Sequence, residues 1–319
     1  MTEHAGAVFD AILDNAVGDS RIEALCLGLT WTTCRIGAGI GFAQSPGMAS
    51  RTLEFPGTVA GSAAGDIAKW LRDWDPYRAT VGLAAVNALV NHADNPLMRA
   101  ADRLLPRGPA NLAVFEYFRP HLEGRKVVVV GRYPGMERVF DGIDVQVLER
   151  RPGAGDLPDP AAEYVIPGAD WVFLTGTSLI NKTFPRLSAL ASDAVTVLMG
   201  PSVPWLPLFA DYGIDFLAGV VPIDVERAAS IAAEGGGTRL FGEAVTYAVA
   251  DIGQHRLEHL ESEIARTASA RDALKHAMEH WYGSGRSGRY PQFGELDAVT
   301  ARLSRLDTCF KRQWDARNG

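Results

Sequence analysis

The segment GRKVVVVGRYPGMERVF, residues 124–140, decides how the chain is read. Four valines ending at Gly131 form a short, wholly apolar run, the pattern of a strand covered on both faces of a parallel sheet. In a dinucleotide-binding α/β domain the next turn reads G-x-G-x-x-G, because glycine lets the backbone approach a pyrophosphate. Here it reads Gly131-Arg132-Tyr133-Pro134-Gly135-Met136-Glu137. Arg132 and Tyr133 crowd that space, and Pro134 removes an amide donor. A Rossmann-like strand is therefore expected without its phosphate loop, and NAD(P) is not an expected cofactor.

Outward from this strand the pattern repeats. VQVLER, WVFLTG, VTVLMG and DFLAGV are further short strands, separated by helical stretches such as FPRLSALAS and DVERAASIAAEGG. Five such strands with helical crossovers make a parallel sheet covered on both sides, over residues 106–253. Upstream, residues 1–105 read as a small α+β unit. A helix in HAGAVFDAILDNAVGD is followed by two or three antiparallel strands in RIEALCLGLTWTTCRIGAGIGFAQSP. A second long helix begins with Asp75 as N-cap and Pro76 at its first position. From FGEAVTYAVADI onward the pattern reads as helical, and residues 254–319 form a helical extension interrupted by the Gly/Ser/Arg linker SGRSGRYPQFG.

The bulk composition narrows the function classes. With 319 residues, 47% hydrophobic and 22% charged, the chain has enough apolar surface for two cores. A net charge of −7 argues against a general nucleic-acid or anionic-membrane surface. The segment after Gln254 carries slightly more Lys/Arg than Asp/Glu. Cys26, Cys34 and Cys309 are too few and too scattered for a disulfide framework or zinc knuckle. No apolar run approaches the roughly 18–20 residues of a membrane span, and MTEHAGAVFD lacks the features of a signal peptide. A cytoplasmic protein is expected.

Several stretches together carry a family resemblance. They are TWTTCRIGAGIGFAQSP and GLAAVNALVN in the first unit, then VGRYPGMER, VLERRPGAGDLPDPAAE, TGTSLINKTF, MGPSVPWLPLF and GGGTRLF in the second. In this order they resemble a bacterial and archaeal family of uncharacterised proteins with proposed heavy-metal chelation. That family joins an enolase-N-terminal-like domain to a Rossmann-like domain. The resemblance covers about residues 1–250 and implies binding of a transition metal ion or a metal complex. It implies nothing about the extension.

In an open parallel sheet, ligands bind outside the carboxyl ends of the strands, at the switch in strand order. Those ends offer Arg132 and Tyr133, Glu149, Thr175-Gly176-Thr177-Ser178 with Asn181, and Gly200 with Ser202. This is a vocabulary of hydroxyls, amides and glycines suited to a small polar ligand. Glu149 stands where an acidic residue meets a ribose hydroxyl in nucleotide-binding sheets, and equally suits pairing with Arg150 or Arg151. The hydroxyls of TGTSLINKT also suit helix capping. With no histidine between His121 and His255, a Ser–His hydrolase is not expected.

From the first unit, Asn87 and Asn91 share one helix face at i, i+4. They read either as a cleft wall or as an amide ladder at the domain junction. Cys34 reads as a soft-metal ligand or a small buried hydrophobe. An interdomain cleft would set Asn87 and Cys34 across from Thr177, Asn181 and Ser202.

The tail contains HRLEH and HAMEH, each placing two imidazoles at i, i+4: His255 with His259, and His276 with His280. The pairs lie about 21 residues apart, hence about 30 Å along one straight helix. They can share a metal only if the helix breaks or two chains meet. The plainer reading is an exposed oligomerisation helix with an apolar stripe through Leu257, Leu260, Ile264 and Leu274. Three functions remain: a small-ligand or metal-complex binder, an enzyme on a small carbonyl or nucleotide-like substrate using Glu149 and Lys182, and an interaction protein, a homo-oligomer, docking through its tail.

Overall fold

The computed structural model describes residues 6–318. Its large sheet has eight strands: β4 (Asp102–Arg103), β5 (Lys126–Val130), β6 (Asp144–Glu149), β7 (Leu157–Pro158), β8 (Trp171–Thr175), β9 (Val195–Met199), β10 (Phe216–Pro222) and β11 (Val245–Asp251). They lie in the order β4-β11-β10-β9-β8-β5-β6-β7. The six strands from β7 to β10 are mutually parallel, and β11 and β4 close one edge antiparallel. Numbered from β5, the parallel strands run 3-2-1-4-5-6, the order of a doubly wound dinucleotide-binding sheet. The strand order switches beside β5, between β6 and β8.

The valine run explains why β5 is central. Val127 and Val129 point into one apolar core and Val128 and Val130 into the other, so period-2 alternation buries both faces. The same alternation corrects one expectation. Residues 245–251 read as helical because alanines interrupt the β-branched residues, yet they form β11. Val245, Tyr247 and Val249 enter one core, while Ala248 and Ala250 enter the other. Pairing along the whole of β10 satisfies their backbone, and that tertiary gain overrides local helix propensity.

The N-terminal unit has three antiparallel strands, β1 (Ala24–Leu27), β2 (Trp31–Ile36) and β3 (Gly39–Gln44), under the helix Pro76–Val90. Asp75 caps that helix, accepting from the Arg78 amide at 2.8 Å, with Pro76 at its first position. Gly41 lets the helix backbone lie directly on β3, since a Cβ there would collide with Ala84 O and Ala88 N.

This unit sits on the chain that follows β9. The Asn91 amide donates to Val203 O at 3.0 Å and accepts from the Trp205 amide at 2.8 Å. Asn95 donates to Trp205 O at 2.8 Å, and the Gln44 amide donates to Ser202 Oγ at 2.9 Å.

The extension is an antiparallel hairpin of two helices, Gln254–Gly283 and Phe293–Asn318, packed along each other. Leu257 and Leu260 of the expected stripe are buried, and Ile264 and Leu274 half-buried. That stripe is spent within the chain, against a second helix with Leu296, Leu303 and Cys309 buried. The hairpin docks at the amino ends of the parallel strands. There Arg312 meets Asp170 at 2.6 Å, Arg125 meets Asp315 at 3.3 Å, and Gln313 donates to Ala194 O at 3.2 Å. It therefore lies at the opposite end of the sheet from the strand termini that carry the candidate site.

Candidate functional site

A small crevice, open to solvent, lies at the carboxyl ends of β5, β6 and β8, where the strand order switches. Its lining includes Gly131, Glu149, Arg150, Thr175, Thr177, Ser178 and Asn181, together with Asp159 and Thr183. The sheet domain supplies all of it.

The loops around the crevice are fixed by their own polar groups. Glu149 accepts from the Arg132 amide and from the Arg151 amide, each at 3.1 Å, one on each carboxylate oxygen. It thereby ties the loop after β5 to the loop after β6. Arg132 folds back onto Asp156, donating from Nε at 2.9 and 3.0 Å, and its guanidinium holds the Asp156 carboxyl below its ordinary pKa. The Gly131 amide donates to Leu148 O at 2.8 Å. After Gly135, at φ +81°, the chain makes one 3-10 turn over Met136–Arg138 rather than a long helix. The amides that would meet a pyrophosphate are thus already engaged.

Most hydroxyls of TGTSLINKT are used locally, but not as the helix caps the sequence suggested: neither helix of this segment has a side-chain cap. Ser178 donates to Thr175 O at 2.7 Å, and Asn181 Oδ1 accepts from the Thr183 hydroxyl at 2.6 Å. Thr175 and Thr177 share a hydroxyl contact of 3.0 Å. Two donors remain without a protein partner among the described residues: the Asn181 amide nitrogen and the Arg150 guanidinium.

Lys182 leaves the crevice. At φ +64° it turns under the first helix, donates to Ile180 O at 2.9 Å, and lies 5.3 Å from the Phe9 ring centre. Burial lowers its pKa to about 8. Glu149 and Lys182 therefore do not form an acid–base pair.

The residues expected from the first unit are elsewhere. Asn87 is fully buried and donates to Phe42 O at 2.6 Å inside its own domain. Asn91, Asn95 and Ser202 make the domain junction, and Gly200 is buried beneath it. Asn91 acts as an amide ladder, because the buried backbone of 203–205 needs partners where two domains meet.

Cys34 is 0% exposed in the core, and burial pushes its thiol up to about 12. Its side chain packs in the apolar core. His255, His259, His276 and His280 are exposed along one unbroken helix, so one chain cannot bring the two pairs to one ion. No group of three His, Cys, Asp or Glu suited to an ion occurs among the described residues. The donor set does not fit a bare heavy-metal ion held by one chain.

Residues 9–90 match the DUF4213 family and residues 113–251 the DUF364 family, both described as "Putative heavy-metal chelation". The chain belongs to this two-domain family. The hairpin lies outside both DUF regions. A DUF364 protein of unknown function from Desulfitobacterium hafniense is 27% identical, with a TM-score of 0.67 over 77% of this chain and 98% of that one. A Pyrococcus horikoshii DUF364 protein, 18% identical with a TM-score of 0.63 over 77% of this chain and 99% of that one, shares the fold. An uncharacterised Methanocaldococcus jannaschii protein is 31% identical over 163 residues, 49% of this chain. That match spans 59% of the relative's own length.

Sequence reasoning set Arg150 at the end of β6 beside Glu149 and passed over Asp159 and Thr183 as crevice residues. Asp159 and Thr183 become neighbours only when β6 and β8 flank β5.

Proposed function

We propose that this protein binds a small polar ligand in the crevice at the ends of β5, β6 and β8, and takes heavy metal as a complex with that ligand. The observation carrying this is the crevice at the strand-order switch of a Rossmann-like sheet, walled by hydroxyls, amides and one unpaired guanidinium, with its two carboxylates, Glu149 and Asp159, engaged by the Arg132 and Arg151 amides and by Arg186. Such groups recognise oxygen acceptors on a ligand and are poor donors to a soft ion. The ligand's own atoms would complete the coordination, in keeping with the family's description.

The reading is tested on untagged protein by native mass spectrometry with parallel elemental analysis, for wild type, Thr177→Val and Asn181→Ala. A small-molecule adduct that carries the metal, and is lost in both variants, is the expected result. Metal retained equally by all three proteins, with no adduct, refutes it.

A further inference from the structure

The crevice at the strand-order switch has engaged its acceptors and kept donors free. Glu149 takes one backbone amide on each carboxylate oxygen, from Arg132 and from Arg151. Asp159 is held by Arg186 at 2.7 Å, so its charge is compensated within the wall. The Thr175 carbonyl accepts from the Ser178 hydroxyl at 2.7 Å, and the Thr177 carbonyl from the backbone N–H of Asn181 at 3.2 Å.

Asn181 gives the wall its direction. It is half-buried, and its Oδ1 accepts twice from Thr183, from the backbone N–H at 3.2 Å and from the hydroxyl at 2.6 Å. A backbone N–H can only donate, so its partner must be the oxygen end of the side-chain amide. The NH2 end is thereby left without a protein acceptor, on a residue that lines the crevice. Arg150 lines the same crevice after β6. Arg132, Arg151 and Arg186 around it are bonded to Asp156, Gly47 O and Asp159, whereas the exposed Arg150 guanidinium has no partner among the described residues. An unpaired surface arginine is ordinary by itself. What sets this one apart is a half-buried amide donor, also without an acceptor, in the same crevice over the end of β5.

A wall with free donors and engaged acceptors selects by charge. A neutral polar molecule brings donors of its own, and those left unpaired on binding weaken it. A carboxylate or phosphate oxygen brings acceptors, and its bonds from guanidinium and amide are charge-assisted.

We propose that the crevice binds its ligand through an anionic oxygen group, a carboxylate or a phosphate, held between the Arg150 guanidinium and the Asn181 side-chain amide. This rests on the crevice reading above and names the chemical class of its ligand.

Asn181→Asp is the discriminating change. The aspartate keeps an oxygen for both Thr183 donors and matches asparagine in shape, while a carboxylate oxygen replaces the free NH2. Calorimetry is run with malonate, inorganic phosphate and neutral malonamide on wild type, Asn181→Asp and Arg150→Gln, with Tm measured for each. At least one anion is expected to bind wild type, and malonamide about tenfold or more weakly than that anion. Malonate alone identifies a carboxylate, phosphate alone a phosphate group. Each variant should weaken anion binding about tenfold or more, the effect of losing one charge-assisted hydrogen bond. Failure of both anions to bind wild type, malonamide binding as tightly as the anion, or unchanged anion affinity in either variant overturns the proposal. Where a variant lowers Tm, the wild-type comparison of anion with malonamide still decides the ligand class. If the anion result fails while a neutral adduct is found on wild type and lost in Thr177→Val and Asn181→Ala, the crevice reading stands and the oxyanion class falls. If no adduct is found either, both fall.

Discussion

Replacing Asp215 by alanine should release the hairpin. This carboxylate, 0% exposed, sits just before β10. Its Oδ2 accepts from the Thr196 amide at 2.8 Å, the Thr196 hydroxyl at 3.0 Å, Arg256 Nη1 at 2.9 Å and Gln313 Nε2 at 2.9 Å. Arg317 stands 3.7 Å from Oδ1. The Arg256 side chain is only 13% exposed, so alanine strands its shielded guanidinium beside a vacated acceptor, while Arg317 keeps its pair with Asp251. Removing one partner of such a buried pair costs about 3–5 kcal/mol. At about 2–4 °C of Tm per kcal/mol for a domain of this size, the expected fall is about 10 °C. Arg302→Ala, which breaks a half-exposed pair with Glu263 in the hairpin, should move Tm by no more than about 2 °C. Calorimetry gives Tm, and hydrogen exchange reports where protection is lost. Faster exchange should be concentrated in residues 254–318. A fall below about 2 °C, or exchange spread evenly over the sheet, would show that the carboxylate does not anchor the hairpin.

Other outcomes follow from single groups. NAD(H) and NADP(H) should show no low-micromolar binding by calorimetry, because the Gly131 and Arg132 amides are bonded to Leu148 and Glu149. Lys182 carries a folded-state pKa lowered to about 8 by burial, so the folded chain binds fewer protons than the unfolded chain above that pH. Wild-type stability should accordingly rise relative to Lys182→Met between about pH 8 and the ordinary lysine value near 10.4. The advantage of the variant would be greatest below pH 8, and a gap that widens with pH refutes the assignment. Thiol titration of the native protein at pH 8 should leave Cys34 unmodified and reach all three cysteines only in denaturant. Rapid labelling of Cys34 would reopen it as a metal ligand.

The valine run, the short strands after it and the Asp75-Pro76 helix start were legible because each is a local pattern with a local cause. Alternation buries both faces of a strand, and a carboxylate before a proline begins a helix. The strand ends that line the crevice were legible for the same reason, through the rule that ligands meet the carboxyl ends of parallel strands. Local pattern failed where the deciding partner was distant. β11 is a strand because β10 lies beside it, and the stripe Leu257–Leu274 serves an internal hairpin because the helix Phe293–Asn318 returns along it. Cys34, Asn87 and Asn91 have side chains that serve equally as ligands or as packing and junction groups, and only burial separates those roles. Tyr133 and Tyr247 show the limit most plainly. Each is an ordinary tyrosine in the chain, and burial raises the pKa of both only once the sheet has formed, since desolvation is a property of the surroundings and not of the sequence.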